Sequence, residues 1–169
     1  IPALEMPVAI PETMISTPDM RMQLRTPLRQ RAQYALASSM EYRLDRLLPA
    51  ERRFALALPT TGNERSRDLA ETWRVGLRDA QTIVDAALDM FRQESFIYTL
   101  SPPLLGAESV DDFLFRTRSG YCEHYAAAFT FLMRAAGIPA RVVLGYQGGN
   151  FNPLGEYYVI RQYHAHAWS

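Results

Sequence analysis

The stretch SGYCEHYAAAFTFLMRAAGIPARVVLGY, residues 119–146, constrains the fold more than any other part of the chain. Behind Gly120, the positions Tyr125, Ala126, Phe129, Leu132, Met133 and Ala136 recur at helical spacing, and Gly137 followed by Pro139 supplies a C-terminal stop. ARVVLGY then reads as a buried strand. A helix this apolar has to be enclosed by other elements, and its first turn carries the single cysteine of the chain, Cys122.

The chain has the material to enclose it. With 169 residues and 48% hydrophobic content it can bury a real core, and its length favours one domain with at most an appendage. Eighteen basic and eighteen acidic residues cancel, so no global field draws the chain to nucleic acid. Every basic residue is arginine; without lysine, this chain offers no side-chain amine of its own. One cysteine excludes an internal disulfide framework and leaves the compartment open. The uncharged apolar run Tyr125 to Met133 is less than half the roughly 20 residues that span a bilayer. The opening IPALEMPVAIPE and the ending HAHAWS, inside a patterned segment, read as cuts in a longer protein.

Along the chain, Pro2, Pro7, Pro11 and Pro18 oppose helix and central strand, so residues 1–18 read as an arm. MRMQL, with Met20, Met22 and Leu24, and FALAL, with Phe54, Leu56 and Leu58, alternate as half-buried strands do. RAQYALASSMEYRLDRLL fits either period, through Tyr34, Leu36, Met40, Tyr42 and Leu44 or through Ala32, Leu36, Met40, Leu44 and Leu47, and the reading favours strand. LPTTGN is turn chemistry and divides a proline-rich arm and β region, residues 1–62, from a core, residues 63–169. Two helices follow, one marked by Leu69, Trp73 and Leu77, the other by Ile83, Val84, Ala87, Leu88 and Phe91 with Asp79, Asp85 and Asp89 outside the stripe. After SPPLLG, Ser109 and Asp112 resemble a capping box that opens a short helix through Phe113 and Leu114.

Three readings of Cys122 stand side by side. In the first turn of a helix, unpaired amides and the positive end of the dipole favour a thiolate and hold a developing oxyanion, as a nucleophile requires. Cysteine is also among the residues most often buried as a small piece of core. A nucleophile needs a base, and EYYVIRQYHAHAW alternates so that Tyr158, Ile160, Gln162, His164, His166 and Trp168 share one strand face, where either histidine can meet the thiol. The third reading is a zinc set of Cys122, His164 and His166 with Glu123, although no second cysteine or spaced ligand pair accompanies it. Glu123 and His124 read as exposed first-turn residues, and Trp168 and the tyrosines of EYYV as core or sheet surface.

GYCEHYAAAFTFLMRAAGIPARVVLGY, followed at a distance by YYVIRQYHAHAW, resembles the core of the transglutaminase-like superfamily, most closely its bacterial membrane-anchored branch. The likeness covers roughly Glu64 to Trp168, is strong from Phe113 onward, and rests on two motifs in order. It implies an α+β, papain-like core in which the cysteine-bearing helix packs on an antiparallel sheet, preceded by the N-terminal β-rich region. It implies Cys122 as nucleophile and His166, directly before Ala-Trp, as base, with His164 and Trp168 as neighbours and Tyr98 of FIYTLSPP as an oxyanion group. The third member of the triad, usually an aspartate on the next strand, is expected beyond Ser169, on a segment that completes the sheet. The implied chemistry is acyl transfer from a protein glutamine carboxamide to an amine through a thioester, or to water in deamidation, without cofactor or metal. A cysteine peptidase or amidase of the same fold and a zinc-binding or non-catalytic scaffold are the rival readings. The implied location is periplasmic, in a domain of an inner-membrane protein.

Overall fold

The computed structural model describes residues 6–17, 22–27, 29–30, 33–39, 41, 47–77 and 79–169. The chain divides into two compact units, residues 1–52 and 53–169.

In the first unit, β1 (Met6–Ala9) pairs antiparallel with β4 (Ala37–Ser39), and β2 (Met14–Ser16) with β3 (Met22–Leu24). The prolines therefore do not make the whole of residues 1–18 an arm. Pro7 is tolerated because both members of a two-stranded ladder are edges, and the register shifts between Pro7 and Ala9. MRMQL is a strand from Met22, which is buried like Met14; Met20 lies outside the described residues. Of the ambiguous segment, Ala37–Ser39 is strand, while Met40, Tyr42 and Leu44 lie outside the described residues.

FALAL is not a strand but the end of helix α1 (Pro49–Leu56). Proline opens it at the one position where the missing N–H costs nothing, and the Glu51 carboxylate accepts the Leu48 N–H at 2.8 Å. Ala55 is 1% exposed and Phe54 63%, the reverse of the expected alternation. Alanines between the large residues favour helix locally, and a burying contact at Ala55 decides the face.

The second unit is built on three longer helices. Helix α2 (Glu64–Gly76) carries Leu69 and Trp73 toward the core, and α3 (Ala80–Gln93) carries Ile83 and Ala87, with Asp79 accepting the Thr82 amide at 2.9 Å as its cap. Helix α5 (Cys122–Ala135) ends where Gly137 takes φ +83° and the Ile138 amide turns back to Met133 at 2.8 Å. Both α2 and α3 pack on α5, around Phe113, Leu114, Leu132 and Met133.

Helix α4 (Ser109–Asp111) runs into a π-helical turn, Asp112–Thr117. No capping box from Ser109 opens it. The Oδ1 of Asn63 accepts the amides of Val110 and Asp111 at 2.9 and 3.0 Å, while Asp111 accepts the Ser66 amide at 2.9 Å, so α2 and α4 cap each other. Asp112 instead accepts Gly106 N–H at 2.7 Å and pairs with Arg116 at 2.7 Å.

Strand β5 (Ile97–Tyr98) runs parallel to β6 (Ser119–Gly120), immediately before α5. After α5 come β7 (Val143–Tyr146), the antiparallel hairpin β8 (Asn150–Asn152) and β9 (Tyr157–Val159), and β10 (Ala165–Trp168), which pairs antiparallel with β7. Helix α5 packs on β10, so the α+β arrangement of cysteine helix against antiparallel strands is the one the resemblance implied. The VVLGY strand is not buried: Leu144 is 77% exposed and Val143 54%, on opposite faces, because α5 packs on the partner strand β10 and leaves both faces of β7 open. Among the described residues, no helix is long and apolar enough to cross a membrane.

Candidate active site

Cys122 is the first residue of α5, with its side chain half-buried. Its amide donates to the Tyr98 hydroxyl oxygen at 3.3 Å. The parallel β5–β6 register makes this contact: Tyr98 stands opposite Gly120, with Ile97 N–H to Arg118 and Thr99 N–H to Gly120, each at 2.8 Å. The Tyr98 ring then stacks on Tyr125, one turn into α5, with centroids 6.1 Å apart and planes at 23°. Burial first, and Tyr98 second, raise the Tyr125 phenol above its ordinary range. Tyr125 in turn belongs to a cluster with Phe91, Phe96 and Phe113, which anchors the first turn of α5 to the core.

On the other flank, Tyr121 precedes the cysteine in extended conformation. The Glu123 carboxylate above all, then burial, a hydrogen bond to the same carboxylate and the charge of Cys122 push its phenol up. Tyr121 is therefore a neutral hydroxyl near the thiol at neutral pH.

His124 is not an exposed first-turn residue. It is half-buried, and its Nδ1 accepts the Tyr121 amide in a long contact of 3.4 Å. Its ring meets Tyr121 edge-on at 4.5 Å and Phe113 at 5.7 Å. A Cβ at position 120 would come within 2.7 Å of the His124 Cβ and Cγ, so the ring occupies the space that glycine leaves. Only the three-residue spacing from Tyr121 to His124 signals this in the sequence.

His166 is half-buried on β10, opposite Gly145 of β7. Its ring meets Trp168 edge-on, with centroids 5.0 Å apart and planes at 74°. Trp168 lies over Gly145, whose added Cβ would come 3.0 Å from the indole. Trp168 thus buttresses the imidazole from the same strand, two residues on. Among the described residues no hydrogen bond or ion pair joins His166 to a carboxylate.

The expected single strand through both histidines is broken. After β9 the chain makes a 3₁₀ turn, Gln162–His164, before β10 begins at Ala165. His164 Nδ1 accepts the Arg161 amide at 3.0 Å, and its ring stands against Tyr163 at 4.2 Å. The period of two continues through the letters, but the backbone turns between them, so the two histidines do not share one strand face. Among the described residues, no group of three or more His, Cys, Asp or Glu side chains is placed to hold a metal ion.

The structure thus brings Tyr98 to Cys122, sets Trp168 against His166, and packs the helix of the thiol against the strand of the imidazole. Chemically it presents a half-buried thiol on the first residue of a helix, with a phenol beside the same residue's amide.

A family model described as the transglutaminase-like superfamily matches residues 67–169. A protein-glutamine gamma-glutamyltransferase of Pseudomonas aeruginosa is 50% identical over 151 residues, covering 89% of this chain and 23% of that protein. The uncharacterized protein YebA of Bacillus subtilis is 34% identical over 120 residues, covering 67% of this chain and 16% of that protein. The chain therefore spans about a quarter or less of the length of these relatives. Crystal structures of the periplasmic domain of TgpA from P. aeruginosa, one of them bound to ethylmercury, superpose with a TM-score of 0.88 at 47% identity. They cover 94% of this chain, which matches 57% of the ethylmercury-bound chain.

Proposed function

Because the chain belongs to the transglutaminase-like superfamily, we propose that it performs cysteine-dependent acyl transfer from a protein glutamine side chain to an amine. The Cys122 thiolate attacks the carboxamide carbon. The oxyanion that forms takes the Cys122 amide N–H, which at rest donates to the Tyr98 oxygen at 3.3 Å, and the phenol O–H turns to donate to it beside that amide. Collapse breaks the C–N bond, and ammonia leaves with a proton from the His166 imidazolium, which gives a thioester. An amine then attacks, His166 takes its proton, and an isopeptide bond replaces the thioester while the thiolate returns. Water in place of the amine gives deamidation.

The observation that carries this reading is the Tyr98–Cys122 contact, because it sets a second hydroxyl donor beside the amide of the helix-opening cysteine, and a developing oxyanion at that amide needs such a donor. The name of the Pseudomonas relative, a protein-glutamine gamma-glutamyltransferase, supports glutamine as acyl donor. The solved relative is a periplasmic domain, which supports a periplasmic site of action. We place the carboxylate that orients His166 on a strand following Ser169, alongside β10, where it would also cover the open side of the sheet.

Cys122→Ala in the full-length protein tests the reading. It should abolish amine incorporation into a glutamine donor and leave the circular dichroism spectrum unchanged, since a small residue fits the first helical turn. Retained turnover would overturn it. Organomercurials seek thiolates, so the wild-type protein should also lose activity to ethylmercury in proportion to Cys122 occupancy.

A further inference from the structure

We propose that His124 is a positioning residue for the nucleophile, acting as a neutral acceptor that fixes the turn from which Cys122 is presented. The inference rests on the acyl-transfer reading of Cys122 and goes beyond it, because His124 touches neither the thiol's chemistry nor the proton transfers assigned to His166.

Three observations meet on this one ring. Nδ1 accepts the amide of Tyr121, the residue that caps α5 in extended conformation at φ −118° and ψ −175°. This is the return half of a capping box, whose third helical residue is ordinarily Glu or Gln and here is histidine. An Nδ1 that accepts places the ring proton on Nε2 and requires an uncharged ring. The ring itself is wedged between Tyr121 and the fully buried Phe113, over a glycine that has no room for a side chain.

That glycine is also the β6 partner of Tyr98. The imidazole therefore braces both arms of the proposed oxyanion pair: Tyr121, from which the Cys122 amide follows, and Gly120, from which the Tyr98 strand hangs. A group at neither end of the reaction can cost turnover in this way, since misplacement by about 1 Å is worth on the order of 100-fold in rate. Binding of the glutamine donor does not pass through His124, so the loss belongs in kcat and not in KM.

The test compares His124→Leu, which fills the space without an acceptor, with His124→Gln, which restores the acceptor that capping boxes use. In the full-length protein, two quantities are read: kcat and KM for amine incorporation, and the rate of iodoacetamide alkylation at Cys122 by peptide mass spectrometry. The leucine variant should lose at least about tenfold in kcat with KM within about twofold of wild type, and the glutamine variant should return to within about threefold of wild type. His124→Met stands in for leucine if that variant does not fold. Leucine and glutamine variants that match each other within about twofold, whether both active or both dead, would show that the acceptor does not matter and overturn the proposal. Alkylation should slow in the leucine variant and recover in the glutamine variant as kcat does; a wild-type protein that alkylates without transferring acyl groups sinks the acyl-transfer reading, and the alkylation rates of the two variants still decide the role of His124.

Discussion

Replacing Tyr98 by phenylalanine isolates a single hydroxyl. The ring keeps its stack on Tyr125 at 6.1 Å, so β5 should stay in place and the fold should barely change. A single exposed hydrogen bond contributes at most about 1 kcal/mol net to stability. The effect on rate is separate. Loss of one oxyanion donor costs about 100- to 1000-fold in kcat, or about 2.7–4 kcal/mol of transition-state stabilisation. Two features of this site set the expectation at the lower end. The contact to the Cys122 amide is 3.3 Å, at the long end of hydrogen-bond geometry, and Tyr98 is 57% exposed, so water can replace part of what the phenol supplies. We therefore expect kcat to fall about 100-fold with KM nearly unchanged, while alkylation of Cys122 proceeds at the wild-type rate, because the phenol meets the oxyanion and not the thiol. The assay is amine incorporation under saturating donor, paired with iodoacetamide kinetics. A Tyr98→Phe protein within about threefold of wild-type kcat would refute the assignment of Tyr98 to the oxyanion.

The choice of histidine is tested in the same way. His166→Ala should lower kcat for amine incorporation at least about 100-fold, the lower end of what a positioned acid–base group contributes, whereas His164→Ala, which removes only the acceptor for Arg161, should change it little. Equal losses in the two variants would remove His166 as the base. Asn63→Ala deletes the acceptor for two α4 amides and puts alanine at φ 55°; it should cost about 2 kcal/mol by denaturant unfolding, and Asn63→Gly, free of the backbone strain, about half of that. Asp112, held down to about 2 by its hydrogen bond to Arg116 and next by the Gly106 amide, contributes stability that is complete above the unfolded carboxylate range and is lost as pH falls toward 2. Asp112→Asn should therefore flatten the stability profile between about pH 4 and pH 2, and a profile that matches wild type there would dismiss the pairing as a source of acid sensitivity.

The helices around the core are written locally. Leu69 and Trp73, Ile83 and Ala87, and the run from Tyr125 to Ala136 repeat at the period of a helix, and glycine at position 137 ends the last of them, so neighbouring letters suffice. Cys122 at the head of α5 is legible for the same reason: it follows a glycine and begins a periodic run. The sequence misled where local preference was balanced and a distant contact broke the tie. FALAL alternates like a strand, yet Ala55 rather than Phe54 found a place inside. Ser109 has the letters of a cap, but Asn63, far away in the chain, delivers the acceptor. The two histidines alternate on paper, and a 3₁₀ turn separates them in space. The candidate site follows the same division. Its proposed nucleophile and the Ala-Trp context of its proposed base stand in two short motifs, but the phenol at the Cys122 amide and the imidazole wedged over Gly120 exist only once β5 lies beside β6 and α5 docks on the aromatic cluster. A side chain's rotamer and partner depend on what burial leaves around it, and pairing between segments distant along the chain sets that surrounding; a period of two or of 3.6 carries no record of it.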